Sequence, residues 1–373
     1  MKSSSRPPRI PSRLSGLIHR RLNCYALAIW IACVLATLLV IAGNGLAENG
    51  FRVIHYFANK PAQYPYAALV EDSAGNFYGT TVNSKADKCG TLGCGTVFKL
   101  ARGSSGEWKY SVIHRFIWGV TDGSNPWGSL ILDGTGNLYG TTANGGTFGL
   151  GTVFEISPVG DGWSEKILSS FGRPPDVSVP FGALIFDESG NLYGTGSTGG
   201  VNNGGGVFQL RASGGNGWKE SVIYGFTCGN DGCGPGDNLV RDAEGNLYGT
   251  AFSGGENDAG LVYELAPSSS GTWVETVLHS FTGRSDGRYP VDGLTADGTG
   301  NLYGVTAEGG RRRGFGGFGT VFELTPSNGT WTFSTLHSFH RRVIANAPLL
   351  FSPPATLYGT TVIGGPNKVG LVL

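Results

Sequence analysis

Apolar and polar residues alternate in short runs of four to seven along residues 51–373, and each run is bounded by Gly, Asn, Asp, Ser or Pro. Runs of that length, rich in Val, Ile, Thr and aromatics, suit strands and are too short for helices. Four runs make a set. The first is Leu-x-x-Asp, at 130–133, 184–187, 239–242 and 294–297. A tight turn such as Gly134-Thr135-Gly136 leads to the second, Asn-Leu-Tyr-Gly-Thr-Thr. A glycine-rich loop leads to the third, Gly-Thr-Val-Phe-Glu-Leu, at 151–156 and 319–324 with variants at 95–100, 205–210 and 260–265. A turn reaching Trp108, Trp163, Trp218, Trp273 or Trp331 leads to the fourth, Ser-Val-Ile-His-Arg-Phe at 111–116, with relatives ending at Phe171, Phe226, Phe281 and Phe339.

The second run begins at Asn76, Asn137, Asn191, Asn246 and Asn301, with a degenerate copy at Thr356, at spacings of 61, 54, 55, 55 and 55 residues. A fixed period of this size marks a repeat architecture. Four antiparallel strands per period predict an all-β chain, a β-propeller of four-stranded blades. The repeats begin with a lone fourth run, Phe51–Phe57, and end in a third run at 368–373 with no fourth run after it. Six of each run then predict six blades, with strand 51–57 completing the last one and removing an open sheet edge. An incomplete ring that closes with a partner chain is the alternative.

The phrases NLYGTT, GTVFEL and VLHSF, recurring in order over residues 51–373, resemble the GloVer tandem repeats of bacterial "choice-of-anchor" surface proteins. The resemblance implies export and attachment to the cell surface by a terminal anchor, and it implies no particular activity. No C-terminal anchor is visible, so an anchor would have to be the N-terminal segment.

Composition supports the strand reading. Gly accounts for 64 of 373 residues without a collagen period, and aromatics make up 11%, which excludes a disordered chain. The net charge of zero hides an asymmetry: Lys2, Arg6, Arg9, Arg13, Arg20 and Arg21 precede the first acid, Glu48, and the remainder has 21 basic and 27 acidic residues. An acidic body argues against a nucleic-acid partner. The 20 uncharged residues from Cys24 to Gly43 are followed by Gly45-Leu46-Ala47. Residues 1–47 therefore read either as a signal peptide cleaved after Ala47 or as a retained membrane anchor, leaving 48–373 as the propeller outside the cytoplasm. Cys89 and Cys94, and Cys228 and Cys233, are local pairs that fit two disulfides in an exported protein. A zinc site from these four is the alternative, although the spacing is not Cys-x-x-Cys.

Propeller topology puts the loops between runs two and three, and those from run four to the next blade, on one face. These loops are long and variable, and function tends to reside on such loops. They carry Trp118, Trp127, Phe148, Phe181, Tyr289, Arg311, Arg312 and Phe315, a set of stacking and charged side chains expected to bind a ligand. Capping of the blade ends is the plainer role for any one of these aromatics. His55, His114, His279 and His337 share one position of run four, taken by Ser169 and Tyr224 in other copies. On an outermost strand they spread around the rim and do not converge with one another on one ion, so a packing role is expected. Asp72, Asp133, Asp187, Asp242 and Asp297 precede tight turns, where Asp accepts turn N–H groups. No nucleophile elbow, His-Glu-x-x-His motif or EF-hand loop occurs. Neither a catalytic residue, a cofactor nor a metal is assigned.

The sequence thus predicts an exported, non-catalytic propeller that binds protein or polysaccharide at the cell surface, touching membrane only through residues 24–43 where these are uncleaved. Two alternatives stand: a sialidase-like or lactonase-like hydrolase, by analogy of fold alone, and a purely architectural envelope protein. An enzyme would break the repeat near the axis, whereas the Leu-x-x-Asp runs are nearly uniform.

Overall fold

The computed structural model describes residues 53–57, 63–84, 89, 93–215, 217–310, 317–340, 344–345, 348–363 and 371–372. The chain divides into two bodies, Met1–Ile54 and His55–Leu373. Among the described residues every regular element is a strand. The leader or anchor expected at 1–47 lies outside them.

Five antiparallel four-stranded sheets follow one another along the second body. Copy one is Val70–Glu71, Phe77–Thr81, Thr96–Arg102 and Trp108–Arg115. Copy two is Ile131–Leu132, Leu138–Thr142, Thr152–Val159 and Gly162–Ser170. Copy three is Ile185–Phe186, Leu192–Gly196, Gly206–Ser213 and Gly217–Gly225. Copy four is Val240–Arg241, Leu247–Ala251, Leu261–Pro267 and Trp273–Ser280, and copy five is Arg288–Ala296, Leu302–Glu308, Thr320–Ser327 and Thr330–Ser338. In each, strands pair antiparallel with their neighbours in sequence, as successive hairpins do. In the sixth copy Leu350–Ser352 pairs with Thr356–Tyr358, and Thr360–Ile363 lies between Ile344–Ala345 and Leu371–Val372.

The core consists of seams between consecutive copies. One cluster joins Tyr139 and Val153 of copy two to Leu192, Phe208 and Leu210 of copy three, and equivalent clusters join the other neighbours. A single sheet could not bury both its faces, so each is stabilised by the next. At the four seams joining copies one to five the Phe ending one outer strand meets the ring on the third strand of the next copy. Phe116–Phe154, Phe171–Phe208, Phe226–Tyr263 and Phe281–Phe322 have centroids 5.2, 4.9, 5.0 and 5.3 Å apart, at 57–66°. Edge-on pairs of this kind add to area burial.

Of the strand expected at 51–57, residues 53–57 run without strand pairing, and 51–52 lie outside the described residues. Its aromatics nevertheless repeat the seam. Phe57 meets Phe98 at 5.1 Å and 64°. His55 stacks on Tyr110 at 4.1 Å, as His279 stacks on Phe333 at 3.8 Å.

Two sequence features acquire causes. The Gly of Asn-Leu-Tyr-Gly makes room within its own sheet: a Cβ on Gly140 would lie 2.6 Å from Phe154 Cζ and 2.9 Å from Leu130 Cδ2. The Asp of Leu-x-x-Asp closes the hairpin to the second run, as expected. In copy two Asp133 Oδ1 accepts the Asn137 N–H at 2.9 Å, and Oδ2 accepts Asn137 Nδ2 at 2.8 Å and the Tyr139 hydroxyl at 3.2 Å. The same bonds recur at Asp72, Asp187, Asp242 and Asp297. Burial alone would raise the Asp297 carboxyl. Hydrogen bonds from Thr299 and Asn301 outweigh it and hold that group down at about 2.

Candidate functional site

A six-residue segment, x-Pro-x-x-x-Leu, leads into each sheet: 64–69, 125–130, 179–184, 234–239 and 289–294. The residue before the proline is left-handed each time, with φ of 60° at Tyr64, 57° at Asn125, 55° at Val179, 66° at Gly234 and 56° at Tyr289. For a β-branched residue such as Val179 this is strained backbone. Hydrogen bonds to the two copies it joins hold it there: Val179 N–H donates to Leu150 O at 2.9 Å, and Val179 O accepts the Ser197 N–H at 3.3 Å. Asn125 is held likewise, donating to Cys94 O and accepting from Ala143 N. The threonines of the second run tie the same segment down from the previous copy, Thr141 Oγ1 donating to Gly182 O and Thr195 Oγ1 to Asp237 O, both at 3.0 Å.

These five segments, together with Pro348 of copy six, enclose one cavity of about 610 Å³. On one side of its mouth stand aromatics from consecutive copies. Tyr64 stacks near Tyr66 at 5.9 Å, Tyr66 on Trp127 at 5.1 Å, and Trp127 meets Phe181 edge-on at 5.9 Å. On the other side Phe252 stacks on Tyr289 at 4.6 Å, and the Arg288 guanidinium lies 4.0 Å over the outer ring. Exposed aromatics clustered at a concave mouth are uncommon in a fold that hides most large rings, which makes this cavity the candidate binding surface. Asp237 lines the wall between them. Burial pushes its carboxyl up to about 6, against the lowering effect of the Thr250 hydroxyl and the Asp292 and Gly293 N–H groups.

The cavity unites some of the residues expected to bind and leaves others apart. Trp127 and Phe181 line it, and Tyr289 backs its wall through Phe252. Trp118 and Phe148 are exposed but do not line it. Arg311, Arg312 and Phe315 lie outside the described residues. Tyr66, Phe252, Asp237 and Asp292 were not anticipated. The signal was in the segments before the first run: two places before its Leu stand Ala67, Gly128, Gly182, Asp237 and Asp292. The expectation of uniformity near the centre holds for Leu-x-x-Asp and fails two residues earlier.

Both disulfides are formed, with Cα–Cα separations of 5.3 Å at Cys89–Cys94 and 4.3 Å at Cys228–Cys233, as an oxidising compartment permits. The second braces the loop that delivers Gly234, Gly236 and Asp237 to the cavity.

At the rim, a bulge in every outer strand follows the third-strand Val or its neighbour, leaving Ile113, Leu168, Ile223, Leu278 or Leu336 as the extra residue. Bulges re-aim side chains, and the residue that follows is His114, Ser169, Tyr224, His279 or His337. His114 and His279 therefore do more than pack: each faces an aspartate, Asp122 at 3.4 Å and Asp286 at 3.2 Å. Asp176 faces Glu220 across the next junction, where a second cavity of about 640 Å³ opens, with Arg173 also on its wall. Burial and Asp176 push Glu220 upward, and burial with Asp231 pushes Glu275 up to about 7.

The family model of the Gloeobacter/Verrucomicrobia repeat matches residues 45–239 and 216–373. No curated protein matches the sequence. Similar solved structures include an ancestral GH74 enzyme, at TM-score 0.51 and 8% identity over 81% of this chain and 40% of that one. A proposed 6-phosphogluconolactonase from Bacteroides uniformis gives 0.48 and 15%, covering 85% of each chain. A proposed oxidoreductase (glucose dehydrogenase) from Thermus thermophilus gives 0.46 and 16%, covering 83% of this chain and 96% of that one. These likenesses are of fold alone.

Proposed function

The chain belongs to the Gloeobacter/Verrucomicrobia repeat family, and we propose that it is an exported six-bladed propeller whose cavity mouth binds polysaccharide. The observation that carries the reading is the aromatic arc of Tyr66, Trp127 and Phe181 beside Asp237 on one cavity. Flat rings stack on the apolar faces of sugar rings, and a carboxylate accepts sugar hydroxyls, so this pairing suits a glycan. Screening the full chain, with its native processing, against soluble β-linked oligosaccharides tests it. Saturable binding of a member of the panel supports the reading; silence across the panel favours an architectural role.

Closure of the ring belongs to the same proposal. Phe57 and His55 sit on copy one as each outer strand sits on the following copy, which fits residues 51–57 in the outer position of blade six. The cavity wall also contains both Tyr66 and Pro348. Export makes residues 1–47 a leader or anchor. A mature N-terminus at Glu48, read by N-terminal sequencing, distinguishes the first from the second.

The raised carboxyl of Asp237 favours one second reading, a hydrolase with Asp237 as a proton carrier. Release of reducing sugar or opening of a lactone by the wild type, lost in Asp237→Asn, would establish it in place of simple binding.

A further inference from the structure

Four junctions between consecutive copies repeat one construction. An aspartate in the connecting loop accepts a backbone N–H: Asp122 from Ile117, Asp231 from Thr227 and Asp286 from Thr282 at 2.8 Å, and Asp176 from Gly172 at 2.5 Å. The outer strand before it contributes His114, Ser169, Tyr224 or His279. The outer strand after it contributes Glu165, Glu220, Glu275 or Phe333. An imidazole meets two carboxylates in the first junction alone among the four. In the second and third the imidazole is replaced by a hydroxyl, and in the fourth Phe333 stacks on His279 where the glutamate would stand.

We propose that His114, Asp122 and Glu165 form a divalent transition-metal site, with Zn2+ as its reference ion, that ties blade one to blade two. One imidazole nitrogen and two carboxylate oxygens lie within 4.8 Å of one another, close enough to converge on an ion at ordinary bond lengths of about 2.0–2.2 Å after small rotamer adjustments. Water would fill the remaining positions. One nitrogen with two oxygens suits Zn2+, Mn2+ or Co2+ better than Cu+, which prefers sulfur. The aspartate is oriented before any ion arrives, since Oδ2 accepts the Ile117 N–H at 2.8 Å and Oδ1 the Gly123 N–H at 2.7 Å. Fixed outer bonds of this kind sharpen a metal site. Glu165 Oε1 is buried without a hydrogen-bond partner, a cost that a bound cation would offset. The second and third junctions keep the acid pair and lack the imidazole, so they serve as internal controls. The site lies at a blade junction, shares no residue with the aromatic cavity and does not depend on glycan binding.

The test is a titration of Zn2+ into the full chain, read by calorimetry and by thermal unfolding, with Co2+ absorption as a spectroscopic report of nitrogen and oxygen ligation. One Zn2+ per chain is expected, together with a rise in Tm. His114→Gln and Glu165→Gln should each weaken binding at least about 10–100-fold and abolish the Tm response, while remaining folded without metal. Glu275→Gln, in a junction without an imidazole, should bind as the wild type does. Absence of saturable binding below millimolar Zn2+ would overturn the proposal, as would unchanged binding in both His114→Gln and Glu165→Gln.

Discussion

On one side of the sheets each of the first five copies turns through the same hairpin, where an aspartate closes on the Asn and Tyr of the next strand through the same hydrogen bonds. On the other side the copies share backbone geometry and differ in side chains. The lead-ins share a left-handed residue before the proline, yet they offer Tyr66, Trp127, Phe181, Gly236 and Val291 at one position and Ala, Gly, Gly, Asp and Asp at the next. The first side is uniform because its chemistry is local: each aspartate satisfies its own turn. The second is varied because each residue contributes to a surface that several copies build together. Repetition therefore marks scaffold, and the proposed glycan site draws on the points where copies diverge on a shared frame.

The largest effect should come from breaking the repeated part. Phe208 is fully buried at the seam between copies two and three, and Phe208→Ala should cost about 3–5 kcal/mol in denaturant unfolding. Phe57→Ala, although it lies in a segment without strand pairing, should show a loss of the same kind; an effect below about 0.5 kcal/mol would count against the proposal that residues 51–57 complete a sixth blade.

Next in size is the brace on the varied side. Reducing Cys228–Cys233, or Cys228→Ser with Cys233→Ser, should cost about 2 kcal/mol of stability. It should also weaken glycan binding, because the loop carries Asp237. Loss of stability with unchanged affinity would separate the brace from the site.

The junction acids should give a smaller, pH-dependent effect. Glu220 and Glu275 are pushed above the usual 4.5, chiefly by burial. Below pH 4.5 they are protonated in both folded and unfolded chains and contribute no difference. As pH rises from about 5 to 8 the unfolded chain ionises first, so stability should fall, by roughly 1–2 kcal/mol after solvent screening. Glu220→Gln with Glu275→Gln should flatten that slope in Tm against pH. The depressed carboxyl of Asp297 acts in the opposite sense and in another window, its contribution being lost only as pH falls toward 2.

The smallest stability change should accompany the largest change in function. Trp127→Ala and Phe181→Ala alter exposed rings and should shift stability by less than about 1 kcal/mol.

Much of this was legible in the sequence because it is encoded locally. Runs of four to seven residues bounded by Gly, Asn and Asp gave strands and hairpins, and Leu-x-x-Asp with Asn-Leu-Tyr contained both partners of the turn bonds. Short Cys spacing gave both disulfides. The cavity was legible only in part. Trp127 and Phe181 stood out as loop aromatics, but so did Trp118 and Phe148, since a position in a loop does not reveal which way the loop leans. Asp237 and Asp292 escaped notice because their meaning depends on comparing lead-ins across copies, where an acid replaces Ala or Gly on the cavity wall. The rim histidines were read as packing because the outer-strand bulge, which turns His114 toward Asp122, leaves no mark in the hydrophobic pattern.

The most direct test of the central claim is a side-by-side titration of the strongest-binding oligosaccharide into three forms of the full chain. These are the wild type, Trp127→Ala with Phe181→Ala, and Trp118→Ala with Phe148→Ala. The first pair should lose at least about 10-fold in affinity, and the second pair, more exposed but away from the cavity, should bind like the wild type. Equal losses in both pairs, or a loss confined to the second, would contradict the claim.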